Sequence, residues 1–120
     1  IKSICLGSNQ ANLTAIGNDL SFDQIFSREL SGLYDSNDIV FILSTSGNSP
    51  NVIKVAEYVR KMGGNALSLL GKDGGKLKGI TDNYIIPFHE TNLIQEIQLL
   101  ICHSICDELE KYIFKNPKIK

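Results

Sequence analysis

Ile39-Val40-Phe41-Ile42-Leu43-Ser44-Thr45-Ser46-Gly47-Asn48-Ser49-Pro50-Asn51 decides how the rest of the chain is read. Five apolar residues run into a loop with four hydroxyl side chains and a glycine, and Val52 to Met62 continue at helical spacing. Strand, polar loop and helix start form an anion-binding order. The first N–H groups of a helix have no partner within it, and its dipole places partial positive charge there. A βα turn with an N-cap is the plain alternative, but it needs only Ser49 and leaves Ser44, Thr45 and Ser46 unexplained. The Gly-Lys-Ser/Thr ending of a P-loop is absent. That argues against a nucleoside triphosphate and for a small phosphorylated ligand.

Outward from this loop the punctuation is clear. Ser49 is the N-cap candidate, Pro50 takes the first helical position, and Gly63-Gly64 end the helix. Val52, Ile53, Val55, Ala56, Val59 and Met62 form its apolar stripe. The run Ile39–Leu43 is apolar on both faces, which places it centrally in a sheet covered by helices. Upstream, Ile1–Leu6 reads as a short strand closed by Gly7-Ser8-Asn9, and Leu13–Ile16 as a brief helix ending at Gly17. Asn18-Asp19 form a polar corner, and Ser21 caps a helix from Phe22 to about Tyr34. Downstream, Asn65–Leu70 is a strand, Gly71–Gly75 a loop, Lys76–Ile80 a single helical turn and Asn83–Pro87 a short strand. The last element is a helix from about Leu93 to Phe114, capped by Asn92 with Gln95 as capping-box partner. Its buried stripe is Ile94, Ile97, Ile101, Ile105, Leu109 and Ile113. Alternating strands and helices predict an α/β fold, a three-layer αβα sandwich around a parallel sheet, with ligands beyond the carboxyl ends of the strands.

Composition narrows the class. The chain has 120 residues, enough for one domain over 1–120, with 42% hydrophobic and 21% charged residues. Net charge is -1 and no basic stripe stands out, which excludes nucleic acid as the expected partner. No apolar run approaches the ~20 residues that span a bilayer, and the start lacks the regions of a signal peptide. Three cysteines in a loop-poor pattern do not form a disulfide framework, so a reducing, cytoplasmic setting is expected. The chain opens directly on an apolar run without an initiator Met. It reads as the C-terminal portion of a longer parent.

Ser44 to Ser49 followed by Pro50-Asn51-Val52-Ile53-Lys54 resembles the phosphosugar loop of sugar isomerase (SIS) domains, a Rossmann-like fold. Gly17-Asn18-Asp19, Ile25-Phe26-Ser27-Arg28, Gly71 to Gly75 and Ile94-Gln95-Glu96-Ile97 are similar to the phosphoheptose isomerases within that family. The resemblance implies aldose–ketose isomerisation of sedoheptulose 7-phosphate to a manno-heptose 7-phosphate, the first step toward the heptose of lipopolysaccharide or capsule. It also implies a cytoplasmic homotetramer and a zinc ion. By the same resemblance Ser44, Thr45, Ser46 and Ser49 match phosphate-binding positions, and Asn18 and Asp19 match substrate contacts. Gln95 and His103 match metal ligands or active-site groups, His103 as a metal ligand or as the acid in proton transfer. Other relatives are non-catalytic SIS modules that bind a phosphosugar or act as adaptors in replication initiation. The His at 103 favours the enzyme.

Each of these residues has a plainer reading. Asn18-Asp19 fit a turn, Gln95 fits a capping box, and His103 fits a satisfied group beside the buried stripe. Cys102 and Cys106, one turn apart around His103, fit a soft metal site or ordinary packing. Gln95 and His103 are eight residues apart. On one helix that is ~12 Å along the axis, whereas ligands of one zinc sit ~2 Å from it. A zinc site is therefore expected to draw its ligands from two neighbouring subunits. Leu93 stands where the family usually has Arg, Gln98 where it has His, and Asn92 where it has Asp. The family's N-terminal segment, with its glycine-rich loop and the Glu base, has no counterpart here. The 120-residue chain alone is expected to be inactive.

Overall fold

Side-chain alternation and helix-end chemistry place most of the elements. In the computed structural model, which describes residues 1–116, they are α1 (Gln10–Asp19), α2 (Ile25–Leu30), β1 (Ile39–Ser44), α3 (Pro50–Lys61), β2 (Asn65–Gly71), β3 (Asp82–Ile86) and α4 (Thr91–Lys115). Short 3-10 turns at Phe22–Gln24 and Lys76–Gly79 complete the described chain. The strands form one parallel sheet in the order β1-β2-β3, with Phe41 beside Leu67 and Leu67 beside Asp82.

The sheet's two faces are unequal. Val40, Ile42, Ala66 and Leu70 point to one face and close a core with Val55, Ala56 and Val59 of α3 and Leu30 of α2. These apolar residues recur at helical spacing on α3, so the side that meets the sheet is the side that loses water. At the end of α3 the N–H of Gly64 donates to the Val59 carbonyl (3.0 Å) and that of Gly63 to Arg60 (3.1 Å), satisfying its last turn. On the other face α4 lies over the carboxyl end of β2. Ile94 is fully buried there, and Gln98 is buried with its Nε2 donating to the Leu69 carbonyl at 2.8 Å. Helices on both sides of a parallel sheet give the expected three-layer α/β arrangement, in part.

Several expectations are corrected. Ile1–Leu6 is not a strand; it is largely exposed, with only Leu6 packed against the core. A strand needs a partner for its ladder, and no described strand lies beside it. The first helix is longer than expected, because the Asn9 side chain accepts from the N–H groups of Ala11 and Asn12 and starts it at Gln10. It runs through Gly17, so Asn18 and Asp19 are its last residues and not a separate corner. Ser21 precedes a 3-10 turn and makes no cap bond, and α2 stops at Leu30. The strand expected to be central, β1, is an edge. Ile39, Phe41 and Leu43 on its second face are 65%, 43% and 48% exposed, because α4 covers only the far end of that face. The N-cap of α4 is Glu90, so Asn92 lies inside the first turn and the capping box with Gln95 does not form. Beyond Gln98 the helix leaves the sheet, and Ile105 and Leu109, expected in the buried stripe, are exposed.

Ile94 anchors α4, with its Cδ1 and Cγ2 against Gly71 where any added Cβ would collide. Ile94→Ala should cost about 2–5 kcal/mol in urea unfolding of the full-length protein. A loss below ~1 kcal/mol would mean that α4 is not held at this point.

Candidate functional site

The site grows from the end of β1. Ser44 is the last strand residue and is buried, and its Oγ accepts from the Gly47 N–H at 3.0 Å. Ser46 Oγ accepts from the Asn48 N–H at 3.1 Å. Both hydroxyls turn the chain sharply while keeping their own protons for another acceptor. Ser49 begins α3 without a side-chain cap bond, so its hydroxyl is uncommitted. Among the described residues, none accepts from the N–H groups of Ser46, Ser49 or Asn51. These donors, with the dipole of a twelve-residue helix behind them, suit an anion.

A second loop supports the first. Gly47 has φ +63°, and an added Cβ would run into the Gly74 carbonyl. Gly75 has φ +54°, and a Cβ there would lie 2.5 Å from the Ser46 carbonyl oxygen. The loops after β1 and β2 thus stack backbone on backbone, which only glycine permits. The Leu77 N–H donates to the Gly47 carbonyl at 3.1 Å across this contact.

In front of the loop lies a cleft of about 490 Å³. The β1 end and α3 start contribute Leu43, Ser44, Thr45, Ser49, Asn51 and Val52, and α4 contributes Gln95, Gln98, Leu99 and Cys102. No charged side chain lines it. An anion here would be held by N–H groups, hydroxyls and a helix dipole.

Of the residues singled out from the sequence, the cleft gathers Ser44, Thr45, Ser49 and Gln95. Ser46 is in the loop but not on the cleft wall. His103 is exposed on α4, one residue beyond Cys102, and does not line the cleft. Asn18 and Asp19 are exposed at the end of α1, hydrogen-bonded to each other at 2.9 Å, and do not line it either. Among the described residues no group of three His, Cys, Asp or Glu side chains converges as a metal site. Cys102 is half-buried and Cys106 exposed.

Sequence reasoning missed Gln98, Asn51 and Asn48. Gln98, which stands where the family usually has His, is a buried amide that donates to the Leu69 carbonyl, with its side chain at the cleft wall. A polar residue within the apolar spacing of α4, between Ile97 and Ile101, was the available signal.

A parallel α/β sheet with a hydroxyl-rich βα loop at its carboxyl end, beside a cleft whose lining residues carry no charge, has the donor chemistry that suits a small anion. The chain belongs to the SIS domain family, whose model matches residues 2–71. It is 43% identical over 117 residues to a phosphoheptose isomerase from Helicobacter hepaticus, covering 97% of this chain and 60% of that one. It is likewise 43% identical over 119 residues to the phosphoheptose isomerase of Citrifermentans bemidjiense, covering 98% and 62%. The solved phosphoheptose isomerase of Neisseria gonorrhoeae superposes with a TM-score of 0.83 at 35% identity, over 87% of this chain and 60% of that one. The chain thus spans about 60% of the length of the relatives it matches.

Gly47→Ala should push the two loops apart. We expect inorganic phosphate to bind the full-length protein at least tenfold more weakly, with the circular dichroism spectrum unchanged. Native-like phosphate affinity in calorimetry would show that the loop stacking does not shape the anion site.

Proposed function

We propose that this chain is the C-terminal portion of a longer aldose–ketose isomerase that converts sedoheptulose 7-phosphate to D-glycero-D-manno-heptose 7-phosphate. The observation that carries this reading is the uncharged cleft where the serine loop faces Gln95, in an SIS-family chain resembling phosphoheptose isomerases over nearly its whole length. The product would feed heptose synthesis for lipopolysaccharide or capsule, in the cytoplasm. No helix among the described residues is long and apolar enough to cross a membrane.

The chemistry follows from what such a reaction requires. A proton leaves the carbon beside the substrate carbonyl and returns to its neighbour, through an enediolate. The serine loop fixes the phosphate at the far end of the substrate. Binding energy there is used to orient the reacting carbons, not merely to hold the molecule. Ser44, Thr45 and Ser49 hydroxyls donate to phosphate oxygens, and Ser44 also stiffens the turn by accepting from the Gly47 N–H. Ser46 donates from the tip of the loop. Gln95, one turn above Gln98 on the same wall, offers its amide to a substrate oxygen. Asn18 and Asp19 contact the sugar from a neighbouring subunit. His103 acts as the acid, and the carboxylate base comes from the segment preceding Ile1.

This assignment requires more than one chain. His103, Asn18 and Asp19 do not line the cleft of their own chain, and eight residues of helix set Gln95 and His103 ~12 Å apart along the axis of α4. We therefore assign the active unit to a homotetramer with sites at subunit interfaces, any zinc being shared between chains. The bare face of β1 and the exposed apolar residues of α4, Ile105 and Leu109, are surfaces that such an assembly and the rest of the chain would cover. The second reading, a non-catalytic phosphosugar-binding SIS module or replication-initiator adaptor, is favoured by the same displacement of His103 from the cleft.

An isomerase assay on sedoheptulose 7-phosphate with the full-length protein, with and without zinc, separates the two. Ser46→Ala should raise KM about tenfold, the scale of one charge-assisted hydrogen bond, with kcat changed little. His103→Ala should abolish turnover while phosphate still binds. Full activity in His103→Ala would remove His103 from the chemistry, and phosphate binding without any turnover in the native protein would favour the binding module.

A further inference from the structure

The serine loop has a feature that neither the phosphate contacts nor the helix start account for. Asn48 points away from the cleft, toward the loop that follows β2. Its Nδ2 donates to the Ser46 carbonyl at 3.1 Å, and its Oδ1 accepts from the Lys76 N–H, 28 residues further along, also at 3.1 Å. The Asn48 backbone N–H meanwhile donates to Ser46 Oγ. Among the described residues this carboxamide makes the only side-chain hydrogen bond between the two loops. It packs against Gly75, where an added Cβ would sit 2.6 Å from Nδ2 and 2.7 Å from Cγ.

We propose that Asn48 is a positioning residue that sets the affinity of the site for the phosphate end of its ligand. It does so by locking the Ser46–Gly47 backbone onto the Gly74–Lys76 loop. The inference rests on the phosphosugar reading of the cleft and adds a residue to it.

Neither lysine nor arginine is among the residues lining the cleft. With a lysine or arginine in the cleft, long-range attraction would tolerate a displaced loop. Here an anion would be held by N–H and O–H groups, whose worth falls steeply with distance and angle. Such sites need their donors held within about 0.5 Å of the productive position. Ser44 fixes the loop from the strand side through Gly47. The opposite side has only the glycine stacking, the Leu77 N–H bond to Gly47, and Asn48. The geometry demands this residue type. The Ser46 carbonyl requires a donor and the Lys76 N–H an acceptor, and an amide offers both in one plane. Aspartate loses the donor, leucine loses both groups, and glutamine carries an extra methylene into the contact with Gly75.

Two variants cut the lock at different atoms. Asn48→Ala removes the carboxamide. Lys76→Pro keeps Asn48 but deletes the N–H it accepts, at the first position of a 3-10 turn where proline is well tolerated. Lys76→Ala removes the lysine charge and keeps the N–H, and serves as the control. In the full-length protein, Asn48→Ala and Lys76→Pro should each weaken inorganic phosphate binding about tenfold in calorimetry. KM for sedoheptulose 7-phosphate should rise by the same factor, with kcat down less than threefold and the melting temperature nearly unchanged. Lys76→Ala should match the native protein in all of these. A merely structural role would instead lower the melting temperature and leave phosphate affinity and KM alone. Phosphate affinity within twofold of native in folded Asn48→Ala, or in Lys76→Pro where Asn48→Ala does not fold, overturns the proposal. A native protein that binds phosphate but does not turn over the heptose phosphate would defeat the isomerase reading only, and the phosphate titrations would still decide the role of Asn48. A native protein that binds no phosphate would overturn both.

Discussion

The contact between Gly47 and Gly74-Gly75 is the constraint on which the site depends. Two loops leave neighbouring parallel strands at the same end of the sheet and meet backbone to backbone. No side chain beyond hydrogen fits at Gly47, and positive φ is required there and at both glycines opposite. Because the loops touch, the turn after β1 cannot relax toward the open space in front of the sheet. The start of α3 is thereby held at the cleft that α4 closes from the other side. Remove the contact and β1 still pairs and α3 still packs, but nothing sets the angle between them at the point where a ligand would sit.

The cleft is built from unequal partners. One wall is the β1 loop and the first turn of α3, held by short-range hydrogen bonds through Ser44 and Ser46. The other wall is a single helix, held by Ile94 in a dry contact under Gly71 and by the Gln98 amide on Leu69. A buried amide is costly unless its bonds are made. Gln98 therefore fixes the rotation of α4 more strictly than an apolar residue would, and with it the presentation of Gln95 and Leu99. Past Cys102 the helix has no such tether, and His103 sits where the wall ends.

Much of the fold was readable from local chemistry. The start of α3 at Pro50 after Ser49, its end at Gly63-Gly64, and the strands at Ile39 and Asn65 follow from signals within a few residues of each boundary. The failures share a cause. Ile1–Leu6 has the residue types of a strand, but a ladder is made with a distant segment, and propensity says nothing of whether one is present. Phe41 and Leu43 are apolar because that face suits cover, yet the described chain covers only its far end. Asn92 and Gln95 satisfy a capping pattern, but α4 begins at Thr91, with the Ile94 N–H donating to the Glu90 carbonyl. The burial of Ile94 against Gly71 outweighs a cap worth about 1 kcal/mol.

Sequence alone determined the α/β class and the hydroxyl-rich loop between β1 and α3, the feature that suggests a phosphate. These depend on alternation, helix ends and residue chemistry that act over a few positions of chain. Only the tertiary structure decided that Gln95 and Gln98 face that loop while His103, Asn18 and Asp19 do not, and that Asn48 ties it to Lys76. Those outcomes depend on where a helix lands on a sheet and on which two loops meet. Such long-range geometry is set by packing of the whole domain and leaves no periodic trace in the residues that use it.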